Sequence, residues 1–243
     1  TEIYTLSLHD ALPILRAAER LQAIYDRMLA HLGPQHWWPA ETPFEVMVGA
    51  ILTQNTSWKN VERAIANLKG VGLMTLPALS ALPTGLLAEY IRPAGYYNIK
   101  AGRLHNLLTH INQQHDGDLE AFLAQPLPEF REQLLSIKGI GRETADSILL
   151  YAANLPIFVV DAYTHRILAR HGVIDEDFEY EAIQELFMDA LDCDVQFFNE
   201  YHALLVRVGN GYCKKKNPDC AACPLQGRSE ERRVGKECRS RWS

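Results

Sequence analysis

Ser136–Ser147 reads Ser-Ile-Lys-Gly-Ile-Gly-Arg-Glu-Thr-Ala-Asp-Ser, and the fold turns on this stretch. Gly139 and Gly141 flank one apolar residue, Ile140, between two segments of helical periodicity, Glu129–Ser136 and Arg142–Ala153. Glycines so placed make a tight hairpin, and the second opens a new helix. Such a hairpin turns backbone N–H groups outward beside the positive end of a helix, which suits a phosphate. Alone the pattern is weak, because most G-x-G pairs are merely turns. Its surroundings decide.

Outward from the hairpin the chain reads as helix after helix. Leu21, Ile24, Tyr25, Met28, Leu29 and Leu32 recur at three- and four-residue spacing, and Gly33-Pro34 stops the run. Pro43 opens a segment (PFEVMVGAILTQ) apolar almost all round, hence central. Further helices are expected over Trp58–Leu68, Leu86–Ile91, Lys100–Gln113, Ala162–Arg170, Tyr180–Leu191 and Val195–Val208. Gly70, Gly72, Pro77, Pro83, Pro93, Gly117, Pro126 and Pro128 are taken as loop punctuation. The one strand-like run, Pro156–Val160, is too short and isolated to found a sheet. The sequence predicts an all-α protein of about ten short helices.

Composition sets the outer bounds. The chain has 243 residues, 47% hydrophobic and 22% charged, which excludes collagen-like and wholly disordered classes. No apolar run approaches the roughly 20 residues of a membrane span. The net charge of −6 offers no hint of a polyanion partner, so contact with one must rest on local bases and backbone donors. Residues 1–14 and 228–243 break the style of the chain and resemble translated sequencing-adapter DNA. They are set aside as scars, leaving Leu15–Gly227 as the working molecule. The start has no basic n-region and only a short apolar stretch, so no signal peptide is expected and a cytoplasmic location is.

Twenty residues after Gly141 comes Val160-Asp161 at the start of another helix, and then Cys213-x6-Cys220-x2-Cys223-Pro224. With Leu52-Thr53-Gln54-Asn55 and Tyr97-Asn98-Ile99-Lys100, these motifs in this order resemble the endonuclease III branch of the helix-hairpin-helix DNA glycosylases. The resemblance runs from the helix before Gln54 to Leu225. It implies an all-α, two-lobed base-excision enzyme with DNA across the cleft. One lobe is a six-helix barrel carrying the hairpin (residues 35–155); the other is an iron–sulfur-type helical lobe (residues 15–34 plus 156–227). The implied partner is double-stranded DNA containing a damaged base. The protein is expected to act as a monomer, without a membrane.

Asp161 matches the family's essential aspartate, whose carboxylate stabilises an oxocarbenium-like sugar or orients water. Asp before Ala-Tyr-Thr-His also suits a helix N-cap, and both roles are compatible. Glu143 stands where family members that also cut the backbone carry a lysine. An amine there attacks the sugar and forms a Schiff base; a carboxylate cannot. Lys138, on the hairpin, is better placed for DNA contact than as a substitute nucleophile. Gly139, Gly141 and Thr144 belong to the same DNA-binding element. Trp37-Trp38-Pro39, the run Gln54-Asn55-Thr56-Ser57-Trp58 and Glu143 together resemble the 3-methyladenine glycosylase subgroup, in which aromatic rings and the glutamate line the base pocket. A cationic alkylated purine stacks well on electron-rich rings, although most tryptophans are simply packing. Gln54 and Tyr96 fall where the family places wedge residues that fill the gap left by an extruded nucleotide.

Cys213, Cys220 and Cys223 resemble three quarters of a C-x6-C-x2-C-x5-C loop for a [4Fe–4S] cluster, which four thiolates normally hold. Ser229 occupies the fourth position, and Cys238 lies in the terminal scar. A three-Cys zinc site has less support, and Cys193 reads as a small hydrophobe. Lys214-Lys215-Lys216 is either a solvated run or a source of phosphate contacts. The leading expectation is a monofunctional glycosylase that flips a damaged base, an alkylated purine such as 3-methyladenine, and hydrolyses its bond through Asp161. The rivals are an oxidised-pyrimidine glycosylase with lyase activity and a non-catalytic DNA-binding module.

Overall fold

Apolar spacing of three and four residues, cut by proline and glycine, folds this computed structural model into helices. The structure describes residues 8–226, with side chains from Leu15 onward. Among the described residues there are twelve α-helices and no strand, an all-α fold as expected. The terminal segment 228–243 and residues 1–7 lie outside the described residues, whereas the first helix already begins at Leu8. No helix among the described residues is long and apolar enough to cross a membrane.

The chain divides into two compact units, Trp38–Leu155 and a second joining Thr1–Trp37 to Pro156–Ser243. The first unit holds α2 (Pro43–Leu52), α3 (Trp58–Gly70), α4 (Leu76–Ala81), α5 (Thr84–Tyr90), a 3-10 turn (Arg92–Ala94), α6 (Tyr97–Gln114), α7 (Leu119–Leu123), α8 (Leu127–Ser136) and α9 (Arg142–Tyr151). α2 is the central helix: every residue after Pro43 is buried, and it packs on α3, α6 and α9. Its N-cap Thr42 accepts the Glu45 N–H at 3.1 Å, with Pro43 pre-set at the first position. Buried Glu45 is balanced by Lys69 at 3.0 Å. The helices of the hairpin, α8 and α9, are pinned by a bidentate pair in which Arg131 Nε and Nη2 reach Asp146 Oδ1 and Oδ2 at 2.7 and 3.1 Å. Asp146 is fully buried.

Two short helices, α4 and α7, were absent from the sequence reading, and the prolines explain the first. Pro77 and Pro128 are not loop punctuation; each sits in the first turn of a helix, where a missing N–H costs nothing. The caps were legible in principle: Thr75 accepts from Ala78 N, and Asp118 from Ala121 N. Gly70 is likewise the last residue of α3 rather than a loop residue.

The second unit holds α1 (Leu8–Leu32), α10 (Ala162–Arg170), α11 (Tyr180–Ala190) and α12 (Val195–Gly211). Phe158 stacks on Phe187 at 3.6 Å, edged by Phe198, and Tyr201 donates its hydroxyl to Leu21 O at 2.8 Å. Ile157–Val160 are buried as a single extended segment, with Gln184 Nε2 donating to Phe158 O, so this run needs no sheet partner. α10 and α12 approach closely because Gly209 has no side chain: a Cβ there would lie 2.3 Å from Tyr163 Cδ1.

Removing Arg131 strips a buried charge of its bidentate partner. Arg131→Met is expected to lower stability by about 3 kcal/mol in urea denaturation; an unchanged midpoint would show that the pair is not what joins the two helices.

Candidate functional site

The hairpin is anchored by Ile137 and Ile140, each 5% exposed, and closed by the Ile140 N–H donating to Ile137 O at 3.0 Å. Gly139 sits at φ +100°, and a Cβ on it would fall 2.4 Å from Arg103 Cγ, so both backbone and space demand glycine. Gly141 is different. It is the N-cap of α9 at φ −99°, and a Cβ there meets nothing within 4 Å. Its surface is open, as an approaching phosphate would need, beside the helix's first N–H groups. Lys138 is exposed on the turn, while Thr144 is buried beneath it.

One flank of α6 holds the rest of this surface in place. Lys100, 1% exposed, donates to Leu52 O and Ala94 O, both at 2.8 Å. These carbonyls lie two residues ahead of Gln54 and of Tyr96. Burial and nearby Arg103 pull the Lys100 pKa down to about 8. One turn on, Arg103 donates to Gln54 Oε1, and Gln54 Nε2 donates to Gly139 O at 3.2 Å and Thr144 Oγ1 at 2.9 Å. A further turn on, Asn106 donates to Lys138 O at 2.8 Å. Tyr96 projects from a left-handed backbone (φ 46°) and is 66% exposed. Such a conformation is strained for an aromatic residue and persists because its neighbours impose it.

Trp38 and Trp58 come together edge to face, centroids 5.3 Å apart, and Trp38 also meets Tyr151 at 5.2 Å. Gly49 makes room: a Cβ there would lie 3.1 Å from the Trp38 indole. Trp58 Nε1 donates to Glu62 Oε1 at 2.8 Å. Glu143 is exposed in the first turn of α9. Trp37 is half-buried and belongs to the other unit, the boundary falling between the two adjacent tryptophans.

In that second unit Asp161 caps α10. Its Oδ1 accepts from Thr164 N at 2.7 Å and Thr164 Oγ1 at 2.9 Å, so the expected cap is present. His202 Nε2, from α12, lies 3.7 Å from the other oxygen, Oδ2, and both side chains are under 10% exposed. Burial alone would raise the aspartate's pKa; the facing imidazole and the Thr164 donors more than offset it and hold it below the usual carboxylate range. The group is therefore an anion at neutral pH.

The cysteine loop follows α12. Arg166 Nε donates to Cys213 O at 2.7 Å, and Arg170 reaches Cys213 Sγ at 3.3 Å and Lys214 O at 2.8 Å. Burial pushes the Cys223 thiol up to about 11, partly opposed by the Leu225 N–H and helped by nearby Cys213 and Cys220. Among the described residues no three Cys, His, Asp or Glu side chains converge as a metal site, and Ser229 and Cys238 lie outside the described residues. Three thiols do not meet the four-thiolate need of a [4Fe–4S] cluster.

Gln54, Gly139 and Thr144 are thus joined by hydrogen bonds, and Trp38 by ring contact to Trp58. Arg103, Asn106, Tyr151 and His202 carry no role in the sequence analysis, and Lys100 enters there only as part of a family motif. Polar residues at i, i+3 and i+6 on α6, and a histidine inside the apolar run of α12, were the available signals.

The family described as "HhH-GPD superfamily base excision DNA repair protein" matches residues 48–193. A relative from Methanocaldococcus jannaschii, provisionally named a DNA repair glycosylase, is 48% identical over 209 residues, 86% of this chain and 94% of that protein. Endonuclease III of Thermotoga maritima is 30% identical over 205 residues, covering 82% and 89%. Among solved structures, the H. pylori 3-methyladenine DNA glycosylase bound to 1,N6-ethenoadenine is 31% identical, with a TM-score of 0.66 over 78% of this chain and 95% of that one. A non-covalent endonuclease III–DNA complex shares the fold at a TM-score of 0.75 and 22% identity, covering 91% and 98%.

The two hairpin glycines should separate experimentally. Gly139→Ala is expected to cost about 1–3 kcal/mol of stability as well as DNA affinity, whereas Gly141→Ala should cost only the smaller N-cap preference, about 0.5 kcal/mol, while weakening DNA binding. Equal stability losses at both would contradict the assignment. For the cysteine loop, anaerobic reconstitution with iron and sulfide should leave the chain without a stoichiometric cluster, and Ser229→Cys should supply one. Full occupancy that survives Cys238→Ser in the otherwise unaltered chain would contradict the donor count.

Proposed function

The chain belongs to the HhH-GPD superfamily of base excision DNA repair proteins, and we propose that it is a monofunctional DNA glycosylase for alkylated purines such as 3-methyladenine. The observation that carries the catalytic part is Asp161: a buried carboxylate kept ionised, with Oδ1 committed to the Thr164 cap and Oδ2 facing His202. As the glycosidic bond breaks, the sugar gains positive charge, which a fixed carboxylate stabilises and toward which it can orient water. Extruding the base costs a few kcal/mol of stacking and pairing. Gln54 and the outward-held Tyr96 are assigned to fill the vacated space. Lys138, Gly139 and Gly141 take the phosphate backbone, which lets an acidic protein hold DNA.

Two observations support the substrate. By the family resemblance Glu143 stands where a lyase carries its amine, which supports water rather than the protein as the group that attacks the sugar. The Trp38–Trp58 pair brings together two electron-rich rings of the kind a cationic purine stacks on, and the 31%-identical relative is described as a 3-methyladenine glycosylase bound to a modified adenine. A [4Fe–4S] cluster would brace the cysteine loop when a fourth thiolate is supplied; no catalytic step runs through it.

Asp161→Asn is expected to bind a 3-methyladenine duplex yet release the base on the order of 100-fold more slowly. Borohydride should trap no adduct between the unaltered chain and an abasic duplex. Unchanged release by the variant would remove Asp161 from catalysis, and a trapped adduct would overturn the monofunctional assignment.

A further inference from the structure

Thr164 already satisfies the cap, so the second oxygen of Asp161 is left facing a group that capping does not require. That group is His202, whose Nε2 stands 3.7 Å from Oδ2 with both side chains nearly out of solvent. The two residues come from different helices, α10 and α12, and their spacing is fixed by the close approach at Gly209, where the Tyr163 ring fills the space of a side chain. Arg166 strengthens the same contact, donating to Gly209 O at 3.2 Å and Cys213 O at 2.7 Å. Tyr201, next to His202, is tied to α1 through Leu21 O. The imidazole is therefore aimed by well-packed elements at one carboxylate oxygen.

We propose that His202 is a positioning residue for the glycosylase reaction. It acts through Asp161 by fixing the orientation of Oδ2 and favouring its anionic form as the sugar becomes positive. No proton changes hands in this role, and the carboxylate stays charged throughout. At 3.7 Å the contact is longer than a hydrogen bond, so it orients Oδ2 electrostatically. The proposal rests on the assignment of Asp161 as the catalytic carboxylate.

The test compares His202→Ala with His202→Gln, whose amide nitrogen reaches the place of Nε2. Under single-turnover conditions on a 3-methyladenine duplex, the alanine form should release base on the order of 10-fold more slowly with unchanged Kd for the duplex. The glutamine form should recover most of that rate, and adding His202→Ala to Asp161→Asn should bring no further loss. Should the alanine form fail to fold, His202→Phe takes its place against His202→Gln. Equal loss in the alanine and glutamine forms, or a loss carried by Kd alone, would overturn the proposal. A second readout needs no activity: the His202 ring-nitrogen NMR signal should move in Asp161→Asn more than the other histidines' signals. If the unaltered chain releases no base at all, the functional assignment fails, and this signal still decides whether the pair is coupled; no movement refutes it.

Discussion

A single buried ammonium organises the hairpin side of residues 38–155. Lys100 is withdrawn from water at a cost that only good acceptors offset, and it finds two: Leu52 O at the negative end of α2 and Ala94 O at the 3-10 turn. Each carbonyl lies just ahead of a candidate wedge residue, so one charge sets the position of both turns. The same flank of α6 continues through Arg103 and Asn106 to the hairpin, giving Gln54, Gly139 and Lys138 a common support. Enzymes that insert side chains into DNA need such preorganisation, because a loosely held wedge loses its contact energy to ordering.

Under the proposed function, one residue serves structure and chemistry together. Asp161 ends an extended segment and starts α10, and the facing His202 together with the Thr164 cap bonds keeps its carboxylate ionised inside the protein. Capping uses one oxygen and leaves the other. In the first turn of α9 the acidic Glu143 is favoured by the helix dipole, and under the proposed function the same residue stands in place of a lyase amine.

Much of this was legible in the sequence because it is local. The G-x-G hairpin, the Asp161 cap and the bounds of α10 follow from periodicity and capping chemistry, which act within a few residues. What escaped was either short or distant in sequence. α4 hid behind Pro77, which reads as a breaker yet sits in a first turn. The Trp38 environment depends on Gly49 and Tyr151, and the Asp161 environment on His202; these pairings exist only once helices pack. The α6 stripe was visible as spacing, but nothing local says that a lysine in it is buried.

A damaged-base glycosylase with water as nucleophile is the account these features support together. The most direct measurement is mass-spectrometric identification of the free bases that the chain releases from methylated genomic DNA. The account predicts N3-methylated purine in the soluble fraction and abasic sites in uncut strands. Release of an oxidised pyrimidine with nicked strands, or of no base at all, would contradict it.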